Sequence, residues 1–419
     1  MSSSLLKLVN CSLIDVERGG VKNNAVIVVV DGIIRFVGSE SEAQRYGEGA
    51  LYDAKNNYVL PGLCDLHTHI AFDGTPYAWS MNSLFKEKTA FRAVKAVWEA
   101  YKHLRSGFTT IRDLGSMDYI DIGVREAIIK GLVVGPNIYT SGKALSMTGG
   151  HGDLWVRDDV SGPTFGLIVN GVESVRFATR MLVRQGADWI KVLGTGGVAS
   201  EGDYPDSPQF TREELLAVAY EAHAAKRKVA VHAHGPAGIQ LALESGADTI
   251  EHGSMLAEQP ELALEMARKN AALVPTLSVT SAVVSRGAAE GLPEYAIRKT
   301  EGVIDLQRKS VKLARENGVL IGLGTDAGYM QRHGESASEL DLLVKSGLSP
   351  LEAIRAGTIN AAKILGNPLI GNIKEGCLAD IIVVKSNPLE DIAKLKDESS
   401  IIDVFKGGKR ISRERGPTE

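Results

Sequence analysis

Apolar positions along the chain follow two different patterns, and the change between them falls near Tyr58. Before it, short β-branched runs at residues 6–9, 25–30 and 33–37 are separated by turn residues, among them Asp31-Gly32. An Asp-Gly pair between two such runs is typical of an antiparallel hairpin. After it, short apolar runs alternate with longer helical stretches, which indicates βα units around a parallel sheet.

Eight of the later apolar runs predict strands. They occupy residues 59–64, 109–112, 138–141, 189–193, 229–232, 249–251, 273–276 and 320–324. Helical stretches lie between them, and the one at residues 211–226 begins with Thr211-Arg-Glu-Glu, the sequence of a capping box. Eight βα units in a segment of this length predict a (β/α)8 TIM barrel.

The pattern returns to short β-strand runs after the predicted barrel, at residues 378–384. These runs could rejoin the strands of the first segment. We therefore predict an α/β fold in which residues 59–365 form the barrel. Residues 1–58 and 366–419 would form the two parts of a small composite β-sandwich domain.

Composition narrows the classes of function. The 419 residues are 44% hydrophobic and 23% charged, as in an ordinary globular protein. The net charge of -4 gives no electrostatic reason to expect nucleic acid or an anionic membrane as partner, so we expect a small-molecule substrate. Three scattered cysteines are too few for a disulfide framework. No signal or anchor pattern is visible, and we expect a cytoplasmic protein.

The first candidate chemistry is the pair His67 and His69, at the end of the first predicted barrel strand. Residues two apart in a strand point to the same face, so the two imidazoles could bind one metal ion. A surface loop explains such a pair equally well. Active sites of TIM barrels lie at the carboxyl ends of the strands, so further ligands should follow other strands.

Further ligand-type residues do occupy those places. Lys191 lies on the fourth predicted strand, His232 and His234 end the fifth, His252 follows the sixth, and Asp326 follows the eighth. Each has a structural alternative: His252 could be a satisfied core histidine, Lys191 could extend its amine to solvent, and Asp326 could cap a helix. Their common position at one end of different strands favours a shared site.

These residues carry a resemblance. Their order, together with Val59-Leu-Pro-Gly-Leu-Cys-Asp-Leu-His-Thr-His69 and Gly371-Asn-Ile-Lys-Glu-Gly-Cys-Leu-Ala-Asp-Ile-Ile-Val383, resembles the amidohydrolase superfamily over nearly the whole chain. The combination of Met147-Thr-Gly-Gly-His151-Gly-Asp153, Lys191 and His232-Ala-His234 is similar to metal-dependent dipeptidases of the prolidase and Xaa-Arg type. Relatives of these dipeptidases hydrolyse ochratoxin.

The resemblance implies a centre of two divalent metal ions, usually zinc, bridged by Lys191 after N6-carboxylation. An ammonium has no lone pair, whereas a carbamate offers two anionic oxygens. By the same resemblance, His67, His69 and Asp326 bind one ion, and His232 and His252 bind the other. His232 is preferred over His234 because of its distance to His252, and this assignment could be reversed.

The implied reaction is hydrolysis of the amide bond of a dipeptide or N-acyl amino acid, Xaa-Pro or similar, with release of the C-terminal residue. A metal-bridging hydroxide would attack, and Asp326 would shuttle the proton. His151 is the candidate contact for the substrate's carbonyl or carboxylate, with His234 as the alternative. We expect the loops at residues 142–170 and 194–209 to surround the substrate, including Asp203-Tyr-Pro-Asp206. Homo-oligomers are frequent in the family, so we expect one here.

Three alternatives stay open at this point. Deaminases and imidazolonepropionase-like hydrolases generally use one metal without a carboxylated lysine, so Lys191 speaks against them. Phosphotriesterases and lactonases use the same ligand set, and only the substrate loops separate them from peptidases. A non-catalytic structural relative would have lost ligands, whereas all six ligand positions are intact.

Overall fold

The computed structural model describes residues 4–153, 165–412 and 416–418 of the chain. Part of the predicted loop at residues 142–170 therefore lies outside the described residues. The strands are β1 (Leu5–Ile14), β2 (Val21–Val30), β3 (Ile33–Gly38), β4 (Ala50–Asp53), β5 (Tyr58–Pro61), β6 (Leu63–Thr68), β7 (Phe108–Asp113), β8 (Asn137–Thr140), β9 (Ala144–Ser146), β10 (Gly166–Ile168), β11 (Trp189–Leu193), β12 (Lys228–Ala233), β13 (Thr249–His252), β14 (Ala272–Val274), β15 (Ile381–Val384), β16 (Ile401–Lys406) and β17 (Lys409–Arg410).

Helices follow most of the strands in the middle of the chain, which makes the content mixed α/β. They are α1 (Glu40–Ala43), α2 (Met81–Lys86), α3 (Thr89–Arg105), α4 (Ile120–Ile129), α5 (Val172–Gln185), α6 (Arg212–Ala224), α7 (Pro236–Ser245), α8 (Glu261–Lys269), α9 (Leu277–Arg286), α10 (Glu294–Glu316), α11 (Ala337–Lys345), α12 (Pro350–Ala356) and α13 (Ile359–Leu365). Helix α6 begins at the predicted capping box, where Glu214 Oε2 accepts from the Thr211 amide at 2.8 Å.

The two ends of the chain share one eight-stranded sheet. Its order is β17-β16-β15-β5-β1-β2-β3, and β4 pairs with β1. The predicted hairpin joins β2 to β3, with Asp31 and Gly32 at φ 50° and 79°. Strand β15 pairs antiparallel with β5, so side chains from both ends, such as Ile27 and Phe405, pack in one core. The sandwich arrangement and the domain boundaries stay predictions.

Strands in the middle of the chain pair parallel in two sheets, β6-β7-β8 and β10-β9-β11-β12-β13-β14. Residues 320–327 connect the two sheets, because Ile321 bridges to Leu273 of β14 and Ala327 bridges to Thr68 of β6. On the other side, the amide of Asp188 donates to the Thr140 carbonyl at 2.8 Å. The carboxyl ends of these strands consequently lie together.

The prediction of one strand at residues 59–64 was wrong. The chain leaves the eight-stranded sheet after Pro61 and enters the parallel sheet at Leu63, so His67 lies within β6 rather than after it. Gly62 makes this crossing possible, because a Cβ there would lie 2.2 Å from Thr109 Oγ1. Only a residue without a side chain fits at that place.

The eighth predicted strand, residues 320–324, is not a regular strand. It forms only isolated bridges and single hydrogen bonds, such as Leu66 N to Leu323 O at 2.8 Å. Two glycines explain how closely it approaches β6. A Cβ on Gly322 would lie 2.6 Å from Leu66 Cδ1, and one on Gly324 would lie 2.9 Å from His67 Cβ. The segment occupies the predicted place without a continuous ladder.

Cys11, Cys64 and Cys377 are buried and form no disulfide. Within the described ranges, no helix has both the length and the hydropathy that crossing a bilayer requires.

We predict that Gly62→Ala lowers the free energy of unfolding by about 1–3 kcal/mol, because the new methyl group overpacks against Thr109. Urea denaturation would measure the change. Gly302→Ala in α10 is the control, since no atom lies within 4 Å of its added Cβ; it should be neutral or stabilise by up to about 1 kcal/mol. Equal stability of Gly62→Ala and the wild type would contradict the explanation of the crossing.

Candidate metal centre

The predicted site residues lie together at the carboxyl ends of the parallel strands. They line a single cavity of about 380 Å³. The residues are His67, His69, His151, Lys191, His232, His234, His252 and Asp326. Residues brought together from six separate segments of the chain are the arrangement that the strand-end hypothesis predicted.

Two groups of possible metal ligands occur in the cavity. In the first, His67, His69 and Asp326 each offer a ligand atom within 4.8 Å of the others. Asp326 Oδ1 lies 3.0 Å from His69 Nε2, and Lys191 Nζ lies 3.4 Å from His67 Nε2. Lys191 is therefore a direct neighbour of this group.

The second group consists of His232, His234 and His252, with the same 4.8 Å limit between their ligand atoms. The ring centroids of His232 and His252 are 4.5 Å apart, and those of His234 and His252 are 4.8 Å apart. The centroid of His67 lies 5.0 Å from that of His252, so the two groups adjoin. Both His232 and His234 belong to the group, and the preference for His232 as ligand stays a prediction.

Each of these histidines uses one ring nitrogen in a hydrogen bond within the protein. The pairs are His67 Nδ1 with Glu251 Oε2 at 2.9 Å, His69 Nδ1 with Gly115 O at 2.9 Å, His232 Nε2 with Gly196 O at 3.2 Å, His234 Nδ1 with Ser254 Oγ at 2.8 Å, and His252 Nδ1 with Thr276 Oγ1 at 2.7 Å. Such partners orient imidazole ligands and leave the other nitrogen for an ion. The donor set therefore fits divalent metal binding.

Burial keeps the imidazoles of His67, His232, His234 and His252 neutral. Burial and the charge of Lys191 lower the pKa of His67 to about 4, and burial next to His151 lowers the pKa of His234 to about 3. The same cause lowers the pKa values of His232 and His252 well below the usual range. Neutral imidazole is the form that binds metal, so these residues are ready as ligands near pH 7.

Lys191 is completely enclosed, with 1% of its surface exposed. The alternative in which its amine extends to solvent was therefore wrong. Burial lowers the pKa of Lys191 to about 8, while the charges of Glu251 and Asp326 oppose the shift. A neutral amine is the form that can react with carbon dioxide, and this pKa makes that form accessible.

The other two structural alternatives also differ from the structure. His252 satisfies Nδ1 through Thr276, but its ring faces the other histidines of the second group. Asp326 does not cap a helix, because the next described helix, α11, begins at Ala337. Neighbouring His67 and His69 hold the pKa of Asp326 far below its usual value in spite of its burial. Asp326 is thus an anion beside two imidazoles.

Sequence reasoning missed the pair Arg112 and Glu251. Both are fully buried, and Arg112 Nη2 donates to Glu251 Oε1 at 2.8 Å while its guanidinium lies 4.3 Å from the ring centroid of Trp189. Burial alone would raise the pKa of Glu251, but Arg112 and the hydrogen bond from His67 hold it at about 2. The available signal was a charged residue inside each of two apolar strand runs.

Several residues at the strand ends have left-handed backbone conformations. These are His252, Thr276 and Asp326, at φ 68°, 53° and 59°. For residues other than glycine this region costs roughly 1–3 kcal/mol, and it is retained mainly where function requires it. Two of the three are predicted ligands, and Thr276 is hydrogen-bonded to His252.

The cavity wall beyond the histidines is largely apolar. Its residues include Trp79, Leu84, Phe165, Val198, Val279, Val283, Tyr295 and Tyr329. The predicted substrate loop contributes Val198 to Glu201. Asp203 of that loop is placed differently from the prediction: it is buried behind His151, with Oδ2 3.8 Å from His151 Nδ1, rather than over the cavity.

Comparison with known proteins identifies the class. Residues 58–411 match the Amidohydrolase family, and the chain belongs to that family. It is accordingly a hydrolase acting on amide bonds, as predicted. Its structural neighbours are amidohydrolases of the TIM-barrel type, with the same mixed α/β content.

More particular similarities confirm the predicted subgroup. The chain is 37% identical to the ochratoxinase of Aspergillus niger over 92% of its own length and 82% of that protein. A prolidase solved with N-methylphosphonate-L-proline superimposes with a TM-score of 0.90 at 31% identity, covering 98% of this chain and all of the other. A Xaa-Pro dipeptidase with bound methionine gives 0.88 at 33%, with the same coverage.

We predict that Glu251→Gln weakens metal binding by about 10- to 100-fold, because His67 loses its anionic partner. Competition with a chelating dye would measure the affinity. Glu244→Gln is the matched control, since Glu244 lies on α7 at the surface and pairs only with exposed partners. Indistinguishable metal affinities for the two variants would show that Glu251 does not support the site.

Proposed function

We propose that this chain hydrolyses the amide bond of dipeptides or N-acyl amino acids, Xaa-Pro or similar, and releases the C-terminal residue. The observation that carries the proposal is the burial of Lys191 beside the first ligand group, with the second group adjoining. A lysine enclosed in that place is difficult to explain in a metal-free binding protein. In an enzyme with a carboxylated lysine, this side chain would be a metal ligand.

The proposal includes the architecture. Residues 59–365 would form a (β/α)8 barrel, flanked by a composite β-sandwich of residues 1–58 and 366–419. Parallel pairing of the middle strands and the connections through residues 320–327 support the barrel. The sheet shared by β5 and β15 supports the composite unit. A homo-oligomeric state and a cytoplasmic location stay expectations from the sequence.

His67, His69 and Asp326 would hold one divalent ion, and His232 and His252 the other, with zinc as the expected metal. N6-carboxylated Lys191 would help to hold both ions. Two such ions supply Lewis acidity, which lowers the pKa of water and polarises a carbonyl oxygen. The hydrogen bonds on the outer nitrogens of the histidines support this assignment, because they fix the imidazole rings before any ion binds.

The chain's own residues would perform the proton transfers. Asp326 is anionic and stands at the cavity surface, so it can take a proton from the attacking water and return it to the departing amine nitrogen. His151 and His234 line the same cavity, and either would contact the substrate carbonyl or the terminal carboxylate. The apolar wall around Trp79 and Tyr329 would exclude bulk water.

Similarity to a prolidase, a dipeptidase and ochratoxinase supports an amide substrate. A prolidase and a Xaa-Pro dipeptidase share over 30% identity across nearly all of this chain, and ochratoxinase shares 37%. Phosphotriesterase or lactonase chemistry is the second candidate, because it would use the same ligands. The two candidate activities would differ only in how the cavity wall binds the substrate, so substrate assays distinguish them.

A substrate panel with parallel metal analysis tests the proposal. Xaa-Pro, Xaa-Arg and Xaa-hydrophobic dipeptides and N-acyl amino acids would be assayed by amine release after loading with zinc. We expect cleavage within at least one of these sets and about two metal equivalents per chain, as a binuclear site requires. Turnover of lactones or phosphotriesters without any amide cleavage would favour the second candidate. Less than one equivalent would rule out a binuclear centre.

We predict that Lys191→Ala lowers kcat/KM by more than about 100-fold. Loss of a residue that only supports a metal ligand costs about 10- to 100-fold, and the loss of a ligand itself should cost more. Formate, acetate or propionate should restore part of the activity by occupying the place of the carbamate. Lys130→Ala, at an exposed lysine on the surface, is the control. Wild-type turnover in Lys191→Ala would show that no carbamate is needed.

A further inference from the structure

Lys299 of α10 fastens the loop that forms one wall of the cavity. Its side chain is largely buried, and Nζ donates to the carbonyl oxygens of Gly197 at 3.3 Å, Ser200 at 2.7 Å and Asp203. An ammonium has three protons, so each of these three carbonyls can accept one, and the Asp203 carboxylate also lies 3.5 Å from Nζ. Hydrogen bonds with a charged donor are stronger than neutral ones.

A second residue of the same helix supports this contact. Tyr295 donates its hydroxyl proton to the Ala199 carbonyl at 3.3 Å and also lines the cavity. Tyr295 and Lys299 are four residues apart in α10, so they lie on one face of the helix. The contacted loop residues include Ala199 and Ser200, which belong to the cavity wall at residues 198–201. The position of the wall thus depends on α10.

The loop also orients His151. Ser200 Oγ donates to Asp203 Oδ1, so its only proton is committed to that carboxylate. The contact between Ser200 Oγ and His151 Nδ1, at 2.8 Å, must then have the imidazole N–H as donor. In the neutral ring Nε2 is left without a proton, while the ring stacks on His232 with centroids 4.6 Å apart.

Further contacts fix the carboxylate and the loop backbone. Asp203 Oδ2 accepts from Gln209 Nε2 at 2.9 Å, and both oxygens accept from the Gly197 amide at 3.3 Å. Gly197 lies so close to His151 that a Cβ there would be 2.1 Å from the imidazole Cε1. A continuous set of contacts therefore connects Lys299 to the His151 ring.

We propose that Lys299 is a positioning residue that sets both the cavity wall at residues 198–201 and the orientation of His151, and so controls which amides are accepted. This inference rests on the proposed function for its kinetic consequences. The mechanical part, in which one buried ammonium holds the loop, is independent of the reaction.

Lys299→Met removes the ammonium and keeps the length of the side chain. Hydrogen–deuterium exchange should become faster in residues 194–209 and stay unchanged elsewhere. On the dipeptide panel kcat/KM should fall by about 10- to 100-fold, the range for the loss of charged hydrogen bonds. The ratio of kcat/KM between the best and the worst C-terminal side chains should become smaller, while the metal content stays at the wild-type value.

Ser200→Ala separates the two parts of the proposal, because it removes the acceptor of His151 but leaves the contacts of Lys299 to backbone. We expect lower kcat with wild-type exchange in residues 194–209. Combined with Lys299→Met, it should cost less than the sum of the two single losses, since both act through His151. Lys312→Met, at an exposed lysine on the same helix, is the control and should match the wild type in every measurement.

Three results would overturn the proposal. The first is unchanged exchange of residues 194–209 in Lys299→Met. The second is faster exchange across the whole protein, in Lys299→Met and in the milder Lys299→Gln alike, which would make the role one of general stability. The third is faster loop exchange with unaltered kinetics toward every amide. If the wild type cleaves no amide, the proposed function fails, and the exchange measurement still decides whether Lys299 holds the loop.

Discussion

Removal of Lys191 and the surrounding imidazoles from water is the constraint on which the whole site depends. Ionised forms of these groups are costly in a buried place, so burial lowers the pKa of Lys191 and keeps His232 and His252 as neutral nitrogen donors. The buried carboxylates beside these groups have polar partners: Glu251 pairs with Arg112, and Asp326 lies 3.0 Å from His69 Nε2 and is stabilised by the charge of Lys191. A cation bound among these nitrogen donors and the Asp326 carboxylate would therefore be stabilised electrostatically.

Backbone geometry makes that cluster possible. Glycines at positions 62, 322 and 324 let chain segments approach more closely than any side chain would permit, and the left-handed conformations at His252 and Asp326 direct two ligands inward at the ends of their segments. The sheets and their glycines thus bring the segments close together, and the left-handed residues turn the ligand side chains toward the cavity. Few of them would be interpretable without the site that they serve.

Strands β7, β8 and β11–β14 lie within two residues of their predicted positions, because short runs of mainly apolar and β-branched residues alternate there with helical stretches. The candidate ligands could be found because they lie within or directly after such runs, whereas their roles at a metal centre came from the resemblance and stay predictions. The missing parts depend on contacts between distant segments. Glu251 with His67 and Lys299 with the Gly197 loop join positions about a hundred or more residues apart. The charge of Glu251 inside a strand run is a local signal, but it does not identify the partner, and nothing local marks Lys299. The division at Gly62 was missed because a single apolar run continues through two sheets.

The pairing of β5 with β15 has a consequence for how the chain acquires its structure. A single residue separates β5 from β6, which carries His67, yet one of the two sheet partners of β5 comes from the last tenth of the sequence. A ribosome-bound chain would expose an unpaired strand edge until that part is synthesised, and such edges promote association between chains. Strand β15, which carries none of the candidate ligands, thereby determines when the free edge of β5, directly before β6, becomes protected during biosynthesis.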